Sequence, residues 1–346
     1  MSDLPKDYAH IHTEQPGEPE VMQLSRSPLP VVGDGQVLIR VSAAGVNGPD
    51  LKQRAGAYPP PPGASLILGL EVAGEICAIG EGVTQWQLGD KVCALVPGGG
   101  YGEYTLTYAA HCLPIPKGFS MVQAAALPET FFTVWGNLFM RAGLKAGETV
   151  LIHGGSGGIG STAIALANRL GAQVIATTGQ DEKRDYCSGL GAHLVVNYNT
   201  QNFVEEIMSF TQGKGVNVVF DIAGGDFINL NLQALALDGR MVSVSTQRSP
   251  KAEVNILQLM AKRIVWTGST LRPQTVEAKA EIARQLHERV WPLLDSQQIV
   301  PHIFATYPLN DAPKAHRLMQ SGEHRGKVVL TFWINSATSC NLLSLQ

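Results

Sequence analysis

Between Gly154 and Gly160 the chain reads Gly-Gly-Ser-Gly-Gly-Ile-Gly, preceded by the apolar run Val150-Leu-Ile-His153 and followed by an Ala- and Leu-rich stretch, Ser161 to Leu170. The first flank has the pattern of a buried strand and the second that of a helix, so the glycines occupy a strand-to-helix turn. Gly155, Gly157 and Gly160 have the G-x-G-x-x-G spacing, although Gly154 and Gly158 leave the register open by one residue. Ser156, Gly158 and Ile159 complete the turn. Residues without Cβ atoms let a backbone approach a pyrophosphate, and the first amides of the helix, at the positive end of its dipole, receive the anion. A dinucleotide site is therefore expected at residues 154–160.

The surrounding chain fits that reading. From residue 148 to 269 apolar runs alternate with helical stretches, and six candidate strands stand out: Glu148 to His153, Gln173 to Thr177, His193 to Asn197, Val216 to Asp221, Arg240 to Ser245 and Ile264 to Ser269. Alternation of this kind predicts βαβ units on a parallel sheet, and six is the strand number of a doubly wound Rossmann domain. Before residue 120 the texture differs. Short runs at Gln36 to Ala43, Leu68 to Ile79, Lys91 to Val96 and Tyr101 to Thr107 are separated by Gly and Pro, which predicts a β-rich unit. The run Tyr58-Pro-Pro-Pro-Pro-Gly63 cannot join a sheet interior, because proline lacks the amide donor, and is expected as a loop. After Arg272 come an amphipathic helix over Thr275 to Leu294, a strand Ile303 to Tyr307, a helix near Asp311 to Ser321 and a strand Gly326 to Phe332. Residues 334–346 lack periodicity and read as a tail.

Composition limits the partners. At 346 residues the chain is long enough for two domains, and a net charge of -3 with scattered cations gives no footprint for nucleic acid or an anionic membrane. No apolar run nears the ~20 residues of a membrane span, and residues 1–20 have neither a signal-peptide core nor a transit pattern. The five cysteines form no Cys-x-x-Cys pair and read as reduced thiols, so a cytoplasmic setting is expected.

The end of the second Rossmann strand bears on the choice of cofactor. An NAD site places an acidic residue there for the ribose hydroxyls. This chain has Thr177-Thr178-Gly179-Gln180, followed by Lys183 and Arg184, which would attract a 2′-phosphate. NADPH is the expected cofactor. The competing reading makes Asp181 and Glu182 a helix cap, with Lys183 and Arg184 on its solvated face.

Taken in order, Ala44-Gly-Val-Asn-Gly-Pro-Asp50, Gly56-Ala-Tyr-Pro-Pro-Pro-Pro-Gly63, Leu68-Gly-Leu-Glu-Val-Ala-Gly74, Leu88-Gly-Asp-Lys-Val92, Pro97-Gly-Gly-Gly-Tyr-Gly-Glu-Tyr104, the glycine turn and Asn197-Tyr198 resemble the zinc-free quinone oxidoreductase branch of the medium-chain dehydrogenase/reductase superfamily. The resemblance implies a GroES-like β-rich catalytic domain from residues 1–126 and 273–333, a Rossmann NADPH-binding domain from 127–272, and an active cleft between them. It implies a homodimer or homotetramer, for which the apolar strand Ile264 to Thr267 is a candidate edge. The quinone or enone substrate is reduced by hydride from the nicotinamide; an enoyl-thioester reductase and a crystallin-like NADPH-binding protein with little catalysis are the alternatives.

Zinc enzymes of this superfamily carry cysteine where this chain has Asn47, histidine where it has Leu70, and usually cysteine near Glu129. Asn and Leu are not zinc donors of the usual kind, and Glu71 alone cannot hold the ion, so no metal is expected.

The same resemblance assigns Tyr58 to the mouth of the cofactor or quinone site and puts Asn47 and Asp50 beside the nicotinamide, although Asp50 equally reads as a cap on a helix after Pro49. It assigns Thr133 to the nicotinamide side, Gly179, Lys183 and Tyr198 to the adenosine phosphate, and Lys327 to a reach toward the cofactor. Ala223, Gly224 and Gly225, then Val244, Ser245 and Thr246, then Ser269, Thr270 and Leu271 follow the fourth, fifth and sixth strands, at the carboxyl ends where open α/β sheets place ligands. His153, ahead of the glycine turn, reads as strand packing more readily than as a proton shuttle.

Overall fold

The computed structural model describes residues 4–332, so the expected tail at 334–346 lies outside the described residues. The chain forms two compact units. One comprises residues 4–129, 294–296 and 300–332, and the other Thr130–Leu293 with Gln297–Ile299.

The first unit opens with a hairpin of β1 (Asp7–Thr13) and β2 (Met22–Pro28), which the sequence patterns did not predict. It continues with β3 (Gln36–Val46), α1 (Gly48–Arg54), β4 (Glu71–Ile79), β5 (Lys91–Leu95), β6 (Tyr104–Tyr108), β7 (Cys112–Pro114) and the short α2 (Met121–Ala124). The expected proline loop lies between α1 and β4, outside any strand.

The second unit contains α3 (Pro128–Val134, of which the last five residues belong here), a π-helical segment Trp135–Arg141, β8 (Thr149–Ile152), α4 (Gly158–Arg169), β9 (Gln173–Thr178), α5 (Arg184–Gly189), β10 (Leu194–Asn197), α6 (Phe203–Phe210), β11 (Val216–Asp221), α7 (Phe227–Ala234), β12 (Leu235–Ser243), α8 (Ile256–Ala261), β13 (Val265–Gly268) and α9 (Val276–Arg289). The chain then passes through α10 (Trp291–Asp295), and β14 (Ile303–Pro308), α11 (Ala312–Ser321) and β15 (Lys327–Thr331) complete the first unit.

The seven-stranded sheet of the first unit runs β14-β15-β3-β4-β5-β7, with β6 also paired to β3. Strand β3 is its centre. Val37, Leu38, Ile39 and Val41 are almost wholly buried there, and β15, from the far end of the chain, pairs antiparallel with its last residues, Val328 facing Val46.

In the second unit six parallel strands run β10-β9-β8-β11-β12-β13, which in their own sequence order is the Rossmann arrangement 3-2-1-4-5-6. Val150, Leu151 and Ile152 of β8 are fully buried, as a parallel strand covered on both faces must be.

The boundary expected at residue 273 is corrected. Helix α9 belongs to the second unit, and the return to the first comes at Leu294. The reason is packing: Trp135 Nε1 donates to Gln285 Oε1 at 3.0 Å, Lys279 Nζ donates to the Arg272 carbonyl at 2.7 Å, and Ile282 lies against Gly136. The predicted helix over Thr275 to Leu294 is also broken, since Val290 ends α9 ahead of Pro292. Among the described residues no helix is long and apolar enough to cross a membrane.

Candidate active site

The glycine turn assigns a separate task to each of its residues. Gly154 sits at φ +62° and carries the reversal out of β8. A Cβ on Gly155 would press against Ala176, Ile164 and Cys187 at about 3.0–3.1 Å, and one on Gly160 would stand 2.2 Å from the Gly154 carbonyl oxygen. These two positions therefore allow the helix to pack on the strand. A Cβ on Gly157 would meet nothing nearer than the Gly154 oxygen at 3.7 Å. A side chain there would make only an ordinary contact, unlike at the two flanking glycines. Gly155 and Gly160 are thus the two close-packed positions of the turn, and Gly157 the roomier one between them.

Other expected cofactor residues gather at the same edge of the parallel sheet. Gly179 follows β9, and Tyr198 follows β10; a Cβ at Gly179 would come within 2.6 Å of the Tyr198 hydroxyl. Lys183 lies in the next turn, half-buried. Asp221 Oδ1 accepts from the amides of Ala223 and Gly224 at 3.0 and 3.1 Å, and Gly224 and Gly225 both have positive φ. Val244, Ser245 and Thr246 follow β12, and Ser269, Thr270 and Leu271 follow β13. Asn137 joins two separate expectations: its Nδ2 donates to the Thr133 carbonyl at 2.9 Å, and its Oδ1 accepts from Ser269 Oγ at 2.7 Å. Sequence reasoning missed Asn137, and also Arg248, which lies 4.6 Å from the Phe227 ring centre, that ring in turn meeting Tyr198 edge-on. His153 is buried between Thr177 Oγ1 and Asn231 Oδ1, at 2.9 and 2.7 Å, with its pKa lowered by burial; the packing reading holds.

In the first unit, Asn47, Asp50, Glu71 and Lys327 form one buried polar group. Lys327 Nζ donates to Glu71 Oε1 at 2.6 Å, to Asn47 Oδ1 at 2.5 Å and to the Val46 carbonyl at 3.5 Å. Asn47 Nδ2 donates to Glu71 Oε1 at 2.9 Å, and the Glu129 amide donates to Glu71 Oε2 at 2.9 Å. The carboxylate needs Gly45 beside it, because a Cβ there would lie 1.9 Å from Glu71 Oε1. Lys327, expected from the resemblance to reach toward the cofactor, turns to three acceptors within its own unit.

Asp50, for which the sequence left a place beside the nicotinamide and a helix cap both open, is fully buried with both oxygens engaged. Oδ2 accepts from the Asn47 amide at 2.8 Å and from the Tyr101 hydroxyl at 3.4 Å, and Oδ1 accepts from the Gly69 amide at 3.1 Å. The bond to Asn47 closes the first turn of α1, so the capping alternative is the one observed. Burial pushes the Asp50 carboxyl up to about 7, against the opposing pull of its amide donors and Lys327.

Behind Asp50 runs a directed chain. Arg54 has only donors, so its Nη1 must donate to His316 Nδ1, at 3.1 Å. The His316 proton is then on Nε2, which donates to the Tyr101 oxygen at 2.9 Å, leaving the Tyr101 proton for Asp50. Burial, then Arg54, lowers the His316 pKa to about 3. Tyr101 and His316 were not expected in the site. The legible signal for His316 was its place beside Ala312 and Ala315 on the buried stripe of α11. Tyr58 is half-buried in the loop after α1.

These residues do not fit zinc. Asn47 turns its amide nitrogen to Glu71, Leu70 is apolar and buried, and an ammonium already lies against the Glu71 carboxylate. Among the described residues no three His, Cys, Asp or Glu side chains are grouped to hold a metal ion.

Residues 33–117 match the alcohol dehydrogenase GroES-like domain family, and residues 158–286 match the zinc-binding dehydrogenase family. A quinone oxidoreductase of Rattus norvegicus is 33% identical over 320 residues, covering 91% of this chain and 94% of the relative. This chain belongs to the medium-chain dehydrogenase/reductase superfamily. Within that superfamily it is also similar to the solved quinone oxidoreductase of Pseudomonas syringae pv. Tomato DC3000, at 30% identity and a TM-score of 0.83, with 94% of this chain and 100% of that one covered. The JamJ enoyl reductase structure is similar at 28% identity and a TM-score of 0.84, covering 94% and 99%. The β-rich unit is accordingly the GroES-like domain and the parallel-sheet unit the Rossmann domain. Superfamily membership makes the chain an oxidoreductase and implies a nicotinamide cofactor.

Proposed function

We propose that this chain reduces quinones with NADPH and without a metal ion. The observation that carries the reading is the Asn47–Glu71–Lys327 group. At the position where zinc relatives bind their metal, this chain has a carboxylate already neutralised by an ammonium. Without a Lewis acid, a substrate must accept hydride readily by itself, and quinones do. When bound, the nicotinamide supplies that hydride.

The residues of the chain bind and orient. Gly155 to Gly160 receive the pyrophosphate, Thr133 and Ser269 flank the nicotinamide side through Asn137, and Gly179, Lys183 and Tyr198 take the adenosine 2′-phosphate. Absence of an acid at Thr177 to Gln180 supports NADPH over NADH. Tyr58 and the Asn47 region receive the acceptor. Asp50 is a positioning residue, because it holds Asn47 and not the substrate, and the proton for the reduced oxygen comes from solvent or Tyr58. The setting proposed is cytoplasmic.

The oligomeric reading rests on β13, an edge strand whose Val265 is 59% exposed and whose Trp266 is 39% exposed. Pairing of this edge with a second copy would cover both.

The enoyl reductase similarity supports one alternative, reduction of enones or enoyl thioesters. Parallel turnover of ortho- and para-quinones, enones and an enoyl thioester with NADPH and NADH separates the readings. Quinones are expected to be the fastest acceptors, with NADPH preferred by roughly tenfold, the worth of one charge-assisted contact. Faster turnover of the thioester would overturn the quinone, and intact NADPH affinity without turnover of any acceptor would favour a crystallin-like binding protein.

A further inference from the structure

We infer that the Rossmann unit carries a second binding site, for a small aromatic carboxylate, at the edge of its sheet opposite the glycine turn. A pocket of about 200 Å³ opens there, lined by Trp135, Phe139, Leu170, Lys145, Gln285 and Arg289 among others. Leu144 and Lys145 precede β8 and Ala172 precedes β9, so the pocket lies at the amino ends of the strands, away from the carboxyl-end residues assigned to the cofactor.

Its volume is below the ~300 Å³ of drug-sized sites, which limits the occupant to about one ring and a substituent. Aromatic and aliphatic side chains form the floor: the Trp135 and Phe139 rings stack with centroids 4.8 Å apart and planes 24° from parallel. Both lie in a π-helical segment, Trp135–Arg141, which closes with the Ala142 amide bonding the Asn137 carbonyl five residues back. Such segments recur at functional sites because the extra residue pushes side chains out of helical register.

Charge selects the sign of the ligand. Carboxylates of the adjoining segments already have arginine partners: Glu281 and Glu288 pair with Arg284, each at 2.6 Å, and Glu148 with Arg240 at 2.6 Å, Glu148 also feeling the charge of Lys145. Lys145 and Arg289, both exposed, form no ion pair among the described residues. Arg289 and Lys145, both lining this pocket with its aromatic floor, complement a planar ring bearing a carboxylate, with Arg289 able to take both oxygens. The occupant would touch the π-helical segment whose Asn137 bonds Thr133 and Ser269.

Calorimetric titration of the full chain with benzoate, and with benzyl alcohol as its neutral counterpart, tests the site. Benzoate is expected to bind with a Kd near ~1 mM, roughly tenfold tighter than the alcohol. Arg289→Gln and Lys145→Gln are surface changes that should each weaken benzoate roughly tenfold with an unaltered melting temperature. Benzoate and NADPH should bind together. Absence of binding at ~10 mM, equal binding of the alcohol, indifference to both substitutions, or mutual exclusion with NADPH would each overturn the site, and none of these bears on whether quinones are reduced.

Discussion

Lys327 Nζ stands 2.6 Å from Glu71 Oε1, with the lysine side chain 5% and the glutamate 0% exposed. The two come from strands 256 residues apart in sequence. They form a buried ion pair, which is costly to break from one side only, because the remaining charge is left in a medium that cannot solvate it. Lys327→Met should therefore destabilise the chain by about 3–5 kcal/mol. Adding Glu71→Gln should recover roughly half of that loss, read by urea unfolding. A double variant no more stable than Lys327→Met would contradict the pairing.

Gly157 and Gly160 differ in what a methyl group would meet, and alanine distinguishes them. Gly160→Ala collides with the Gly154 carbonyl and should unfold the turn, lowering the melting temperature by several degrees. Gly157→Ala makes only an ordinary contact, 3.7 Å from the Gly154 oxygen, so stability should stay within about 0.5 kcal/mol, while NADPH affinity drops roughly tenfold or more as the backbone loses its approach. Calorimetry and cofactor titration on the same two proteins would show the dissociation of fold from binding.

Asp50 and His316 should bend stability in opposite directions with pH. The Asp50 carboxyl, raised by burial from the ordinary 3.8 to about 7, keeps its proton in the folded chain when the unfolded chain has lost it, so its contribution falls as pH rises from about 4 to 7. His316, lowered to about 3 from 6.5, stays neutral in the folded chain while the unfolded chain takes a proton, so its contribution grows as pH rises from about 3 to 6.5. Each slope is about 1.4 kcal/mol per pH unit, and they oppose one another across the shared window. Asp50→Asn should leave a net rise of stability between pH 4 and 6.5, and His316→Gln a net fall. Denaturation series at stepped pH would reveal either slope; parallel curves for the two variants would refute the assignment.

Lys183 tests the cofactor choice. Lys183→Ala should weaken NADPH roughly tenfold and leave NADH affinity unchanged. Equal losses for both nucleotides would place the lysine elsewhere than at the 2′-phosphate.

Much of the Rossmann unit was legible because its determinants are local. The run Val150-Leu-Ile, the glycine spacing and the alternation after residue 148 fixed strand, turn and helix within a few residues of one another. Strand β12 was underestimated, since it starts at Leu235 and runs through Asp238-Gly239, residues that read as a turn. The β1–β2 hairpin was missed because Asp7 to Thr13 mixes polar side chains with Tyr8, Ala9 and Ile11, which are buried. The site was less legible than the fold. That Asn47 and Leu70 are poor zinc ligands is written in their chemistry, whereas the partners of Lys327 and the contacts of His316 with Arg54 and Tyr101 depend on tertiary approach across 215 to 281 residues. No short-range pattern encodes such separations.

Steady-state NADPH oxidation with a para-quinone, by protein treated with a strong chelator and then assayed with and without added zinc, tests the metal-free account most directly. The account predicts full activity after chelation, no gain with zinc, and a preference for NADPH over NADH. Loss of activity on chelation with recovery on adding zinc would contradict it.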